Sequence, residues 1–195
     1  MKFIFLFLLF SLPVFAEPCQ LLEERLSPVL EKQFWNTNKD TGYVPYRCER
    51  NTSRLTSHVS AFQKAEVVAV WKLSQNPIAE RRGKKENWQI LKPLRSRQKD
   101  AEWAYHVFLV VDGFVLDLDF EVSPKLISLN EYLKEMYSET IGSENERLWF
   151  TSWPAESYST SQVGRYGPSS PTASLQSLQE FLASKSEIFN CADYK

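Results

Sequence analysis

A thiol at Cys48, an imidazole at His106 and carboxylates at Asp117 and Asp119 follow one another along this 195-residue chain. That set can do nucleophilic amide chemistry: a thiolate attacks a carbonyl carbon, the imidazole moves the proton, and an acid holds the ring in the right tautomer. The chain has three cysteines and two histidines, so few other combinations exist. His58 lies ten residues beyond Cys48. In a shared helix this separates them by about 15 Å, at 1.5 Å per residue, so His58 reads as an ordinary helical histidine. No metal-ligand spacing, phosphate loop or dinucleotide fingerprint occurs, so neither a metal nor a cofactor is expected.

Two elements must bring the thiol and the ring together. The first is a helix expected from about Cys48 to Phe62, with Leu55, Val59 and Phe62 on one face. Thr52, Ser53, Thr56 and Ser57 give it poor intrinsic propensity, so packing has to hold it. A helix N-terminus and a nearby imidazolium both favour thiolate at Cys48; an inert buried thiol is the plain alternative. The second element is a hairpin from Trp103 to Glu121, whose Asp112-Gly113 suits a tight primed turn. A two-residue turn sets Val111 opposite Phe114, His106 opposite Asp119 and Phe108 opposite Asp117. Period-two alternation then puts His106, Asp117 and Asp119 on one face, and either acid can orient the ring.

Around these lie an ordered loop over 34–47, a helical segment through Leu21, Leu22, Leu26, Val29 and Leu30 that Pro28 should bend or break, and a strand from Glu66 to Leu73. A second strand spans Trp88 to Leu94, interrupted at Pro93. Ser128-Leu129-Asn130-Glu131 resembles a capping box that opens a short helix with Leu129, Leu133 and Met136 on one face. Residues 159–177, rich in Ser, Gly and Pro, form a loop, followed by a helical region over 175–189. Helix and sheet alternate, which predicts an α+β fold with the nucleophile's helix packed on an antiparallel sheet.

Met1-Lys2, an apolar run from Phe3 to Leu12 and the small-residue pattern ending at Ala16 read as a secretory signal peptide over 1–16. The run is well short of the ~20 apolar residues of a spanning helix. Residues 17–195 then make a single catalytic domain, secreted or periplasmic, without stable membrane insertion. In that compartment an odd cysteine count implies one pair and one free thiol, and Cys19 and Cys191, near the two ends, are the expected disulfide, leaving Cys48 free. Three buried, reduced cysteines are the alternative. The formal net charge is −1 for the whole chain. The basic stretch Arg81, Arg82, Lys84, Lys85, Lys92, Arg95, Arg97 and Lys99 therefore reads as a solvated hairpin; no nucleic-acid partner is expected. Asn51-Thr52-Ser53 matches a glycosylation sequon inside the catalytic block.

At these blocks the chain resembles the protein N-terminal glutamine amidohydrolases, papain-like cysteine enzymes that convert an N-terminal glutamine to glutamate. Cys48-Glu49-Arg50-Asn51 is similar to their Cys-Glu-Glu-Asn motif, Trp103-Ala104-Tyr105-His106-Val107 to their Trp-Asp-Tyr-His-Val strand, and Leu116-Asp117-Leu118-Asp119 to Tyr-Asp-Leu-Asp. Trp153-Pro154-Ala155-Glu156-Ser157-Tyr158 resembles Cys-Ala-Asp-Ser-Tyr. The likeness runs from about residue 43 to 160, carried by the order and spacing of the blocks. It implies a papain-like or transglutaminase-like fold, with Cys48 as nucleophile, His106 as base and then acid, and Asp117 as orienting carboxylate. It also implies Glu49, Asn51, Trp103, Tyr105, Asp119 and Ser157 as substrate contacts. The chain departs from the pattern at Arg50 and Ala104, where those enzymes carry acids, and Arg50 removes a partner for a free α-amino group.

The expected function is therefore exported, cofactor-free deamidation of N-terminal or internal glutamine in peptides or proteins, through a thioester, by a monomer. Two readings stand beside it: a thiol protease or transglutaminase using the same Cys-His-Asp triad, and a non-catalytic secreted binding domain with an inert Cys48.

Overall fold

The computed structural model describes residues 18–38, 40–59, 62, 64–74, 88–142, 146–169 and 174–185. The leader over 1–16, the Cys19–Cys191 pairing and the basic residues Arg81, Arg82, Lys84 and Lys85 lie outside them.

The fold is mixed α+β, with four helices and an antiparallel sheet. Helices α1 (Pro18–Phe34) and α2 (Cys48–Thr56) precede strands β1 (Ala65–Ser74), β2 (Trp88–Gln89), β3 (His106–Val111), β4 (Phe114–Leu116) and β5 (Ile127–Ser128). Helix α3 (Leu129–Ile141), strand β6 (Glu146–Pro154), a small hairpin of β7 (Val163–Gly164) and β8 (Gly167–Pro168), β9 (Gln176–Ser177) and α4 (Leu178–Lys185) follow. The main sheet runs β5-β4-β3-β1-β6-β9, with β2 added to the end of β1. Every pairing in it is antiparallel.

Both faces of the sheet are covered. Val67, Ala69, Trp71 and Leu73 of β1, with Val107, Leu109 and Val111 of β3, pack against α1 and α2 through Leu22, Leu26, Leu30, Phe34 and Leu55. Val68, Val70, Phe108, Val110 and Phe150 face the other way onto Leu129, Tyr132, Leu133, Met136 and Tyr137 of α3 and Phe181 of α4. A strand buried on both sides has no polar face, which is why the central ones read as continuous apolar runs.

Three sequence expectations need correction. Helix α1 runs unbroken through Pro28. The proline sits on the exposed side, while Leu22, Leu26, Leu30 and Phe34 carry a buried stripe across it that outweighs the lost backbone bond. Helix α2 stops at Thr56 instead of reaching Phe62. Its Ser and Thr side chains turn back onto the backbone, with Thr56 Oγ1 donating to Ser53 O and Ser57 Oγ to Arg54 O, each 2.8 Å, the competition that ends helices early. Past Trp88–Gln89 the second strand continues only as a single bridge between Leu91 and Trp103.

The Asp112-Gly113 turn is primed: both residues have positive φ, 47° and 88°, and Val111 pairs with Phe114. Ser128 caps α3, its side chain accepting from the Glu131 amide. Three of the four described residues of the basic stretch are held within the fold, while Lys99 is exposed as a solvated charge should be. Lys92 meets Glu102 at 2.7 Å and Arg95 meets Glu121 at 2.6 Å. Arg97 is not a solvated charge: its guanidinium lies between the rings of Phe34 and Tyr43, 4.0 and 4.1 Å from their centroids.

Candidate active site

Cys48 is the first residue of α2, where helix geometry aims backbone N–H groups outward. The preceding residue, Arg47, makes no side-chain cap, so nothing from the sequence's usual capping set occupies that end. Instead tertiary contacts hold the helix. Thr52 Oγ1 donates to Val107 O at 2.9 Å, docking α2 on β3, and Leu55 is buried beneath it. Asn51 clamps the incoming loop, accepting from Val44 N–H and donating to Val44 O, both at 2.9 Å. Arg54 reaches the carbonyls of Asp40 and Gly42 in the same loop. Gly42 is obligatory there, since a Cβ would collide with the carbonyl oxygens of Asn36 and Asn38.

His106 opens β3 and is fully buried. Its Nε2 meets Asp117 Oδ2 at 2.8 Å. The indole of Trp103 stacks on the ring, centroids 4.2 Å apart and 15° from parallel, and the Leu91 bridge pins Trp103 in place. Asp117 is held on every side: Tyr132 Oη donates to Oδ2 at 2.7 Å, and the Asp119 amide donates to Oδ1 at 2.9 Å.

Asp117, and not Asp119, therefore meets the imidazole. Counting outward from the turn assumed that the ladder continues to residue 119, but β4 ends at Leu116 and the chain bends away. Asp119 turns to a different set of partners: Tyr43 Oη at 2.6 Å, Gln98 Nε2 at 3.0 Å and Asn51 Nδ2 at 3.4 Å. Burial raises its pKa first, and the Asp117 charge adds to that, against the opposing pull of His106 and the bonds from Tyr43 and Asn51.

The sulfur and the ring interact. Burial pushes the Cys48 thiol up, and His106 is the group that pulls it down, through hydrogen bonding and charge. Burial opposes charge on His106, yet Asp117 and the Cys48 sulfur together hold the ring well above the ordinary histidine range. The face of Trp103 suits a positive ring as well. With Nε2 committed to Asp117, Nδ1 remains; it is buried and makes no hydrogen bond of ordinary geometry among the described residues. Sulfur and ring are thus placed to exchange a proton through Nδ1, with burial favouring the thiol and Asp117 favouring the charged ring.

Above the sulfur is a cleft of about 170 Å³, lined by Tyr46, Cys48, Glu49, Trp103, Tyr105 and Asp119 with their neighbours Glu102 and Ala104. Five of the residues expected to act or to touch substrate line it. Glu49 lies with Oε2 3.8 Å from the sulfur and Oε1 2.7 Å from Arg47 Nε. Tyr105 is half-buried, its hydroxyl pushed up to about 12 by burial and by the charges of Cys48 and Glu49. Tyr46 has a left-handed backbone, φ 59°, two residues before the sulfur, the kind of strain that clusters at functional sites.

Two of the expected substrate contacts sit elsewhere. Asn51 is 1 % exposed and committed to Val44 and Asp119, so it shapes the loop and is out of reach of a glycosylating enzyme in the folded chain. Ser157 is exposed in the 3-10 turn Ala155–Ser157, donating to Pro154 O, and does not line the cleft. His58 lies past the end of α2 and is exposed. Sequence reasoning missed Tyr132, Tyr43 and Gln98, which hold the two acids from α3 and from distant loops; no local spacing links them to Asp117 or Asp119.

Among the described residues no group of three or more His, Cys, Asp or Glu side chains is arranged to hold a metal ion. No protein-family model matches the chain, and no curated protein matches it either.

Proposed function

We propose that the protein is a cysteine amidohydrolase that converts side-chain glutamine amides in peptides or proteins to glutamate and ammonia. The observation that carries this is a single buried thiol at a helix start, interacting with an imidazole whose far nitrogen is fixed by Asp117. That is a nucleophile, a base and an orienter in contact.

In this reading Nδ1 of His106 takes the Cys48 proton as the sulfur attacks the amide carbon. The tetrahedral oxyanion collapses as His106 protonates the departing nitrogen, and ammonia leaves a γ-glutamyl thioester. His106 then deprotonates a water, which attacks the thioester and returns the thiol. The amide at the uncapped start of α2 is suited to hold the oxyanion.

The cleft of about 170 Å³ has room for a side-chain amide at the sulfur. The likeness of the Cys48, His106 and Asp117 blocks to N-terminal glutamine amidohydrolases supports the same chemistry on a papain-like fold. The N-terminal apolar run supports export of the chain, with action outside the cytosol.

The test is mass spectrometry on glutamine peptides with free and acetylated N-termini. Conversion appears as a gain of about 1 Da, the difference between amide and acid. Conversion of the free peptide alone assigns N-terminal glutamine; conversion of both assigns internal glutamine as well. Neither peptide changing, with cleaved or amine-linked products in their place, would falsify deamidation in favour of protease or transglutaminase action.

A further inference from the structure

Tyr158 follows the 3-10 turn at the end of β6 and packs against the apolar cluster that includes Cys48, with its ring centroid 6.0 Å from that of Trp153. Its hydroxyl is buried and has no hydrogen-bond partner among the described residues. Buried hydroxyls are almost always satisfied, so an orphan of this kind asks for an explanation. The side chains that act on it electrostatically are those of Cys48, Glu49 and Tyr105, three that line the cleft. Burial first, and these neighbours after it, raise its pKa above the ordinary tyrosine range, so the group remains an O–H donor.

We infer that Tyr158 is a catalytic hydrogen-bond donor, whose hydroxyl is left unpaired in the resting site and donates to the oxyanion formed when the Cys48 sulfur adds to a substrate carbonyl. This rests on the amidohydrolase reading and adds a second donor to the amide at the start of α2. A donor satisfied only after the carbon–sulfur bond forms stabilises the tetrahedral state and not the resting one, which is the differential binding that raises kcat. No proton leaves the phenol: His106 carries the proton to ammonia, and the electron pair on the oxyanion reforms the carbonyl as the carbon–nitrogen bond breaks.

The test compares wild type and Tyr158→Phe in one set of assays. Ammonia release from a glutamine peptide should fall about 100-fold in kcat, as when an oxyanion donor is removed, with KM nearly unchanged. The melting temperature should not drop, because the hydroxyl has no protein partner to lose. Alkylation of Cys48 by iodoacetamide builds no oxyanion and should proceed at the wild-type rate. A peptide carrying an aldehyde in place of the glutamine amide, which adds the sulfur reversibly, should bind more weakly to the variant by a similar factor. Equal kcat and equal aldehyde binding in the two proteins overturns the assignment. A fall in alkylation that matches the fall in kcat also overturns it, since the phenol would then act on the thiol and not on the oxyanion. Ammonia released by neither protein defeats the amidohydrolase reading itself.

Discussion

The two halves of the site are built in opposite ways. Around Asp117 the carboxylates are satisfied: His106, Tyr132 and the Asp119 amide converge on one, with Asp119 secured behind it by Tyr43, Gln98 and Asn51, although Gln98 Oε1 itself has no partner among the described residues. Around Cys48 little is satisfied. The helix start is uncapped, Nδ1 of His106 lacks a hydrogen bond of ordinary geometry, and the Tyr158 hydroxyl has no partner among the described residues. In the proposed amidohydrolase the carboxylate half fixes orientation, and the open half keeps its hydrogen-bonding capacity for a substrate. Stability and reactivity are thereby assigned to different residues a few ångströms apart.

The largest expected effect separates the halves outright. Cys48→Ala should lower ammonia release by about 10⁶-fold, as loss of a nucleophile does, while leaving the melting temperature within a degree or so, because the thiol is a weak bonding partner. A large drop in melting temperature would show that the sulfur side also carries the fold.

Asp117→Asn should damage both properties. The amide favours the wrong ring tautomer, which in triads of this kind lowers kcat by about 10⁴-fold. It also replaces a charge-assisted network by a neutral one in a buried site, so thermal unfolding should come earlier. Full stability in this variant would mean that the carboxylate network orients without stabilising.

The electrostatics give the next contrast. His106 is the influence that lowers the Cys48 pKa against burial. In His106→Asn the thiol should therefore titrate at higher pH, and the alkaline limb of Cys48 alkylation, followed by intact mass, should move upward. An unchanged limb would mean that sulfur and ring do not communicate.

Tyr132→Phe gives the smallest change. It removes one hydrogen bond to a carboxylate, worth about 1.5–3 kcal/mol of stability in denaturant unfolding, with a modest loss of kcat. A loss of activity as deep as that of Asp117→Asn would place Tyr132 among the groups that touch the reacting atoms.

How much of this is legible in the sequence follows the range of the interactions. The Asp112-Gly113 turn, the Ser128 cap and the helix start at Cys48 are local, and their residues announce them. The triad residues can be picked out by type and order, but Asp117 cannot be told from Asp119 by counting, because nothing local says that β4 ends at Leu116. Strand β6 is the longest partner of β1, pairing from Glu66 to Ser74, yet it escapes notice. Its Leu148 and Phe150 face one core while Trp153 faces the other, so it lacks the alternation that marks a strand. Tyr132 has the pattern of an ordinary core residue on α3; only the folded chain shows that its hydroxyl meets an acid 15 residues away in sequence.

The unit of Cys48, His106 and Asp117 is tested most directly by trapping the covalent intermediate. The protein is mixed with a glutamine peptide, quenched in acid within milliseconds to seconds, and its intact mass read with the adduct mapped by digestion. A species heavier by the peptide less one ammonia, attached at Cys48 and absent from Cys48→Ala, is expected. Ammonia accumulating at the full rate in Cys48→Ala, or an adduct on any other residue, would end the assignment.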